Sequence, residues 1–178
     1  MSTEKLSLKA TAYHEAGHAV MAWRLGVGLR RTSIVPNKAD NSAGHVLNRR
    51  LSRGTLEEIE FADPFSSSRL RAEKQVMVSM AGVLAQRRFN RRSFRSWHGS
   101  RDEEKITVIL EPYAISNDGG LDLRPHYVLL RGWTEMTLSR VWSAVEAVAN
   151  ALLERRRLSG KEVRAVINAA IEAGAKPG

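Results

Sequence analysis

Early in the chain the apolar positions Leu6, Ala10, Tyr13, Gly17, Val20 and Met21 recur at three- and four-residue intervals. That spacing predicts a helix from about Ser7 to Leu25, stopped by Gly26 and Gly28. Two short extended runs follow, Arg31–Val35 and Gly44–Asn48, with the turn formers Pro36, Asn37, Asp40, Asn41 and Ser42 between them. They read as a β-hairpin beside the first helix. Leu51–Ser68 has no period; it reads as a polar, irregular loop with at most one helical turn at Leu56–Ile59. From Ser68 to Phe89 the pattern is strongly helical, with a wide apolar face through Val76, Met77, Met80, Ala81, Val83 and Leu84. The methionines there read as core filling.

Further on, Ser100-Arg101-Asp102-Glu103 has the form of a capping box and predicts a helix to about Leu110, before Pro112. Asn117–Gly120 reads as a loop and Arg124–Leu130 as a short helix. A long amphipathic helix is expected over Thr134–Arg156, through Leu138, Val141, Val145, Val148 and Leu152. Ser159-Gly160-Lys161-Glu162 is a second capping box. It opens a last helix with Val163, Val166, Ile167 and Ala170 inward, and the tail from Gly174 is expected to fray. The expectation is a mainly α fold, one domain over residues 1–178, with a small β-element near its start.

The 178 residues are 43 % hydrophobic, enough for a substantial core. With no cysteine there is neither a disulfide framework nor a thiolate metal site. No apolar run approaches the roughly 18 residues needed to cross a bilayer, and the first residues lack the apolar core of a signal peptide. The expected location is therefore the cytoplasm. No G-x-x-x-x-G-K-[ST] phosphate loop is present. The net charge of +9 is concentrated, with Arg87, Arg88, Arg91, Arg92, Arg95 and Arg101 interleaved with Phe89, Phe94 and Trp97. Such a stretch attracts nucleic acid or an acidic protein, and it equally suits a solvated surface.

The candidate chemistry lies in Tyr13-His14-Glu15-Ala16-Gly17-His18, which contains His-Glu-x-x-His. On a helix, His14 and His18 project from one face a turn apart and can share one metal ion. Zinc suits them: two imidazoles and one more protein ligand leave a fourth position for water, and Glu15 is placed to act as general base. The motif does not itself supply the third ligand. Taken alone, Asp102 is a first-turn acid stabilised by its helix dipole. Gly17 costs about 1 kcal/mol inside a helix, so a neighbour is expected to use the space it leaves. His45, His98 and His126 have no assigned role, although His98 is close to Asp102 in sequence.

Several blocks in order resemble the peptidase domain of the FtsH family of AAA+ zinc metalloproteases. They are Thr11–Val20, then Thr32–Pro36 with Ala43–Val46, then Ala81–Ala85, Gly99–Asp102, and Ala151–Glu154 with Leu158–Val163. The resemblance implies a helical, zincin-like peptidase domain with a small β-hairpin or sheet beside the metal helix. It also implies one Zn²⁺ held by His14, His18 and Asp102. The sequence departs from the family in two ways. The ATPase module and membrane anchor are not among these residues, and Gln86-Arg87 stands where the family has an acidic pair.

The expected function is a zinc metalloendopeptidase with Glu15 as its catalytic base, acting without ATP. Its substrates would be unfolded or flexible polypeptides laid along Gly44, His45 and Val46 by main-chain hydrogen bonds. Homo-oligomers, or a separate ATPase or adaptor, are the partners this implies. The competing expectation is a binding or adaptor protein of the same fold, with little or no proteolysis, that uses its basic patch on nucleic acid or an acidic protein.

Overall fold

A computed structural model describes residues 3–36, 45–48, 67–93, 100–111, 115–117 and 120–175. Six helices and five short strands account for most of them. In chain order they are α1 (Thr3–Arg24), β1 (Leu29–Ser33), β2 (His45–Asn48), α2 (Ser67–Phe89), α3 (Ser100–Leu110), β3 (Ile115–Asn117), β4 (Gly120–Asp122), α4 (Arg124–Arg140), α5 (Trp142–Arg155), β5 (Arg157–Ser159) and α6 (Gly160–Ala175). A 3₁₀ turn, Arg91–Ser93, follows α2. The described structure is thus mainly helical, as the periodicities require. No described helix is long and apolar enough to cross a membrane.

Helix α1 is central. Its most extensive packing is against α2, with α5 next, and both β1 and α6 also touch it. Ala12, Ala16, Ala19, Val20, Met21 and Ala22 are all buried, so the helix is enclosed on several sides rather than along the one stripe its spacing suggests. The close approach of α2 depends on missing side chains. A Cβ on Gly17 would run into the carbonyl oxygen of Ala81 and would lie 2.6 Å from the Cβ of Ala85. This is the use of the empty space for which Gly17 gives up helix propensity.

The expected hairpin is present: β1 and β2 pair antiparallel, Thr32 opposite Val46 and Ser33 opposite His45, with a register shift between Leu29 and Arg31. Its turn (37–44), the 49–66 stretch, residues 94–99 and the tail from 176 lie outside the described residues. Two features were not expected. β5 joins the other side of β1, giving a three-stranded sheet in the order β2-β1-β5. Residues around the expected Asn117–Gly120 loop form a second small hairpin, β3–β4. Three-residue strands carry too little pattern to be read from sequence, and pairing with a partner strand is what defines them.

The long helix expected from Thr134 divides in two. The first part begins at Arg124, with Pro125 in its first turn, and absorbs the short helix expected there. The break is one residue wide, at Val141 (φ −114°, ψ 24°), whose carbonyl accepts from the N–H groups of both Ala144 and Val145. Neither glycine nor proline stands there. Tertiary contacts occupy the turn instead: Trp142 stacks on Tyr13 and carries the Arg88 guanidinium 4.2 Å above its ring. At the start of α6 the capping box forms as read. The Glu162 carboxylate accepts from the Ser159 N–H and hydroxyl at 2.7 Å each, and the Glu162 N–H donates to Ser159 Oγ at 3.3 Å. The side chain of Ser100, the other expected cap, is not described.

Candidate metal centre

His14 and His18 lie one turn apart on α1, facing α2. Because the two helices run antiparallel, three residues spaced by four on α2 meet the two rings. The carbonyl of Val78 accepts from His18 Nδ1 at 2.7 Å. Gly82 leaves room for the His18 ring, since a Cβ there would collide with its Nε2 and lie 2.5 Å from Cε1. Gln86 Oε1 is 3.2 Å from His14 Nδ1, and its amide nitrogen donates to the Ser93 carbonyl at 3.1 Å. The donation to Ser93 settles which end of the Gln86 amide faces the ring. Both imidazoles therefore carry their proton on Nδ1 and turn the Nε2 lone pair inward.

Asp102 completes the group from the first turn of α3. Its Oδ2 is 3.3 Å from Nε2 of His14 and 3.3 Å from Nε2 of His18, and the two Nε2 atoms are 3.0 Å apart. Lys105, one turn along α3, donates to the other carboxylate oxygen at 3.1 Å and so leaves Oδ2 for the histidines. The three residues form the only group of three or more potential metal ligands among the described residues. Asp102 and His18 are each only 7 % exposed.

This donor set fits a small divalent cation. Three acceptor atoms converge within 3.3 Å, which is unfavourable unless a proton or a cation lies among them. Zinc ligands at about 2.0–2.1 Å in tetrahedral array are about 3.3–3.4 Å from one another, the ligand distance multiplied by roughly 1.63. The observed spacings of 3.0, 3.3 and 3.3 Å are close to that. Two nitrogens and one carboxylate oxygen are also the ligand types zinc accepts.

Glu15 stands next to this group and is buried, with no hydrogen-bond partner for Oε2 among the described residues. Burial, with a smaller push from Asp102, lifts its carboxyl to about 7, although His14 and Lys105 pull it down. For Asp102, burial acts upward but is outweighed. Any positive charge gathered at the two facing Nε2 atoms, whether a proton or a cation, favours the ionised form, and the carboxyl is held well below the ordinary range. Two nearby carboxyl groups are thus driven apart, one toward neutrality and the other firmly ionised.

The remaining expected site residues are placed less fully. Val46 is half-buried on β2, which has a described partner, β1, on one side only. His45 is described in its backbone but not its side chain, while Gly44 and His98 lie outside the described residues. His126 lies away from the group, its Nε2 2.7 Å from an Arg69 guanidinium nitrogen. Sequence reasoning did not assign Val78, Gly82 and Gln86 to the site. Two of them left a trace, as a glycine inside a strong helix and a buried amide on its apolar side. Compared with protein-family models and with curated proteins, the chain matches none.

Proposed function

We propose that the chain is a zinc-dependent endopeptidase acting on unfolded or flexible polypeptides, of the kind its sequence resembles in the FtsH peptidase domain. The observation that carries this reading is the convergence of His14, His18 and Asp102 with both imidazole tautomers set by α2. Those three residues would hold the metal. Bound there, Zn²⁺ supplies Lewis acidity, bringing the pKa of a water to about 7 and polarising a carbonyl.

The chain's own groups do the rest. Glu15 is a buried carboxylate with no partner on one oxygen among the described residues, close enough to neutrality to take a proton and give it up again. It removes the proton from the attacking water and passes it to the leaving amine. Asp102 stays ionised and offsets the positive charge of the centre. Val78, Gly82 and Gln86 hold the imidazoles in orientation. An extended substrate would add to β2 along Gly44, His45 and Val46 as a further strand, bound through main-chain hydrogen bonds.

The test is metal analysis together with cleavage of a casein-type unfolded substrate, on the wild type and on Glu15→Gln. The expected result is about one zinc per chain in both proteins, with cleavage lowered at least about a thousandfold in the variant. Full cleavage by Glu15→Gln, or cleavage that survives complete zinc removal, would exclude the mechanism.

A further inference from the structure

The other side of α2 carries a feature that the peptidase reading does not use. A cleft of about 490 Å³ lies between the last turns of α2, the 3₁₀ turn and α4. Four guanidinium groups line it, from Arg87, Arg88, Arg91 and Arg131, together with one carboxylate, Glu135. Leu84 and Leu138 supply apolar wall. The carboxylate is already engaged, because Arg131 Nε donates to Glu135 Oε1 at 3.0 Å. Arg88 is held with its guanidinium over the Trp142 ring. Among the described residues the lining thus holds four arginines and one carboxylate, gathered from the end of α2 with the turn that follows it and from α4, much later in the sequence.

Like charges brought together repel, so the cleft is more favourable with an anion in it. The kind of anion follows from the donors. A carboxylate has two oxygens and can be satisfied by a single guanidinium fork. A phosphate offers more acceptor oxygens and more charge, and can be shared among several converging forks. All the cations lining the cleft among the described residues are arginine, the residue whose planar donors match phosphate. A volume of about 490 Å³ is that of a small-ligand site, with room for more than one phosphate group. We infer that this cleft binds a ligand with several phosphates, presented either by a nucleic-acid backbone or as a free polyphosphate. This goes beyond the peptidase reading and stands whether or not that reading does.

Titration of the full chain at low salt with inorganic tripolyphosphate, by calorimetry, and with a fluorescein-labelled single-stranded oligonucleotide, by anisotropy, tests the inference. Arg91→Gln/Arg131→Gln is expected to weaken tripolyphosphate binding about tenfold or more. Lys161→Gln/Arg164→Gln on α6 removes the same charge elsewhere and is expected to change it by no more than about twofold. Arg91→Lys/Arg131→Lys keeps the charge but removes the forks; an intermediate loss is expected, and it serves in place of the glutamine pair should that protein not fold. Binding of both probes, with mutual competition, identifies a backbone ligand, and binding of tripolyphosphate alone identifies a free polyphosphate. The inference is overturned by no binding of either probe, by equal losses in the cleft and α6 variants, or by tighter binding of hexaglutamate than of tripolyphosphate.

Discussion

Helix α2 has two working faces built on opposite principles. Toward α1 it presents a carbonyl at Val78, an empty position at Gly82 and a neutral amide at Gln86. Toward α4 it presents Arg87 and Arg88, joined by Arg91 from the 3₁₀ turn that follows. Gln86 and Arg87 are neighbours in sequence, yet a rotation of about 100° per residue sends them to different faces. The first face brings lone pairs together by withholding bulk and charge, whereas the second gathers charge on long side chains at an accessible surface. The difference bears on Gln86 and Arg87, the pair at which the sequence departs from the family it resembles. Gln86 can still accept a hydrogen bond from His14 without a carboxylate's charge. Arg87 lines the cleft on the other surface.

If this division is right, damage to the two faces should separate cleanly. The largest effect is expected from Gly17→Val, which forces α1 off the backbone of α2 at Ala81. Overpacking of this kind should cost about 3 kcal/mol in urea unfolding and also weaken zinc binding, because Val78, Gly82 and Gln86 would recede from the rings. A stable Gly17→Val protein with unchanged zinc affinity would break the comparison.

Next in size is the pH dependence set by Glu15. Its carboxyl lies at about 7 in the folded chain, against an ordinary 4.5. The folded state thus holds this proton more tightly than the unfolded chain does. The resulting stability is complete below about 4.5 and is lost as pH rises through 7. Across that range the loss is on the order of 3 kcal/mol. Metal-free protein, kept so with a chelator, should lose stability from pH 5 to pH 8, and Glu15→Gln should flatten that slope. Asp102 acts in the opposite sense, since its lowered pKa gives stability that is lost only in strong acid.

A smaller effect is expected from Gln86→Leu, which removes the acceptor for His14 Nδ1. Zinc affinity in competition with a chelator should fall about 10- to 100-fold. Nitrogen chemical shifts of His14 should show mixed tautomers in the variant and a single one in the wild type. The smallest belongs to the other face. Arg91→Gln should leave zinc affinity unchanged and alter stability by no more than about 0.5 kcal/mol. A loss of zinc in that variant would mean that the two faces are coupled through the 3₁₀ turn, where Ser93 accepts from Gln86.

Much of the helical framework could be read from residue spacing. Helices α1, α2, α3 and α6 fall within a few residues of their expected bounds, because their signals are local: apolar periods, a stop at Gly26, a capping box at Ser159–Glu162. The break at Val141 could not be read, since the side chains on either side of it would suit an unbroken helix. Nor could β5, whose three residues become a strand only by pairing with β1.

The same line divides the candidate site. His14, Glu15 and His18 are related by helix geometry alone, so their spacing was sufficient to place them. Asp102 is a different case. By its own residues it was a first-turn acid, and only a resemblance assigned it to the metal. Packing of α2 and α3 around α1 brings its carboxylate to the two rings from 84 positions beyond His18. Packing likewise decides which face of α2 meets the histidines and which is left to the arginines. Sequence determines local geometry because hydrogen bonds and side-chain spacing act over a few residues. Convergence across the chain is set by how closely the helices can approach, and here that rests on the missing side chains at Gly17 and Gly82.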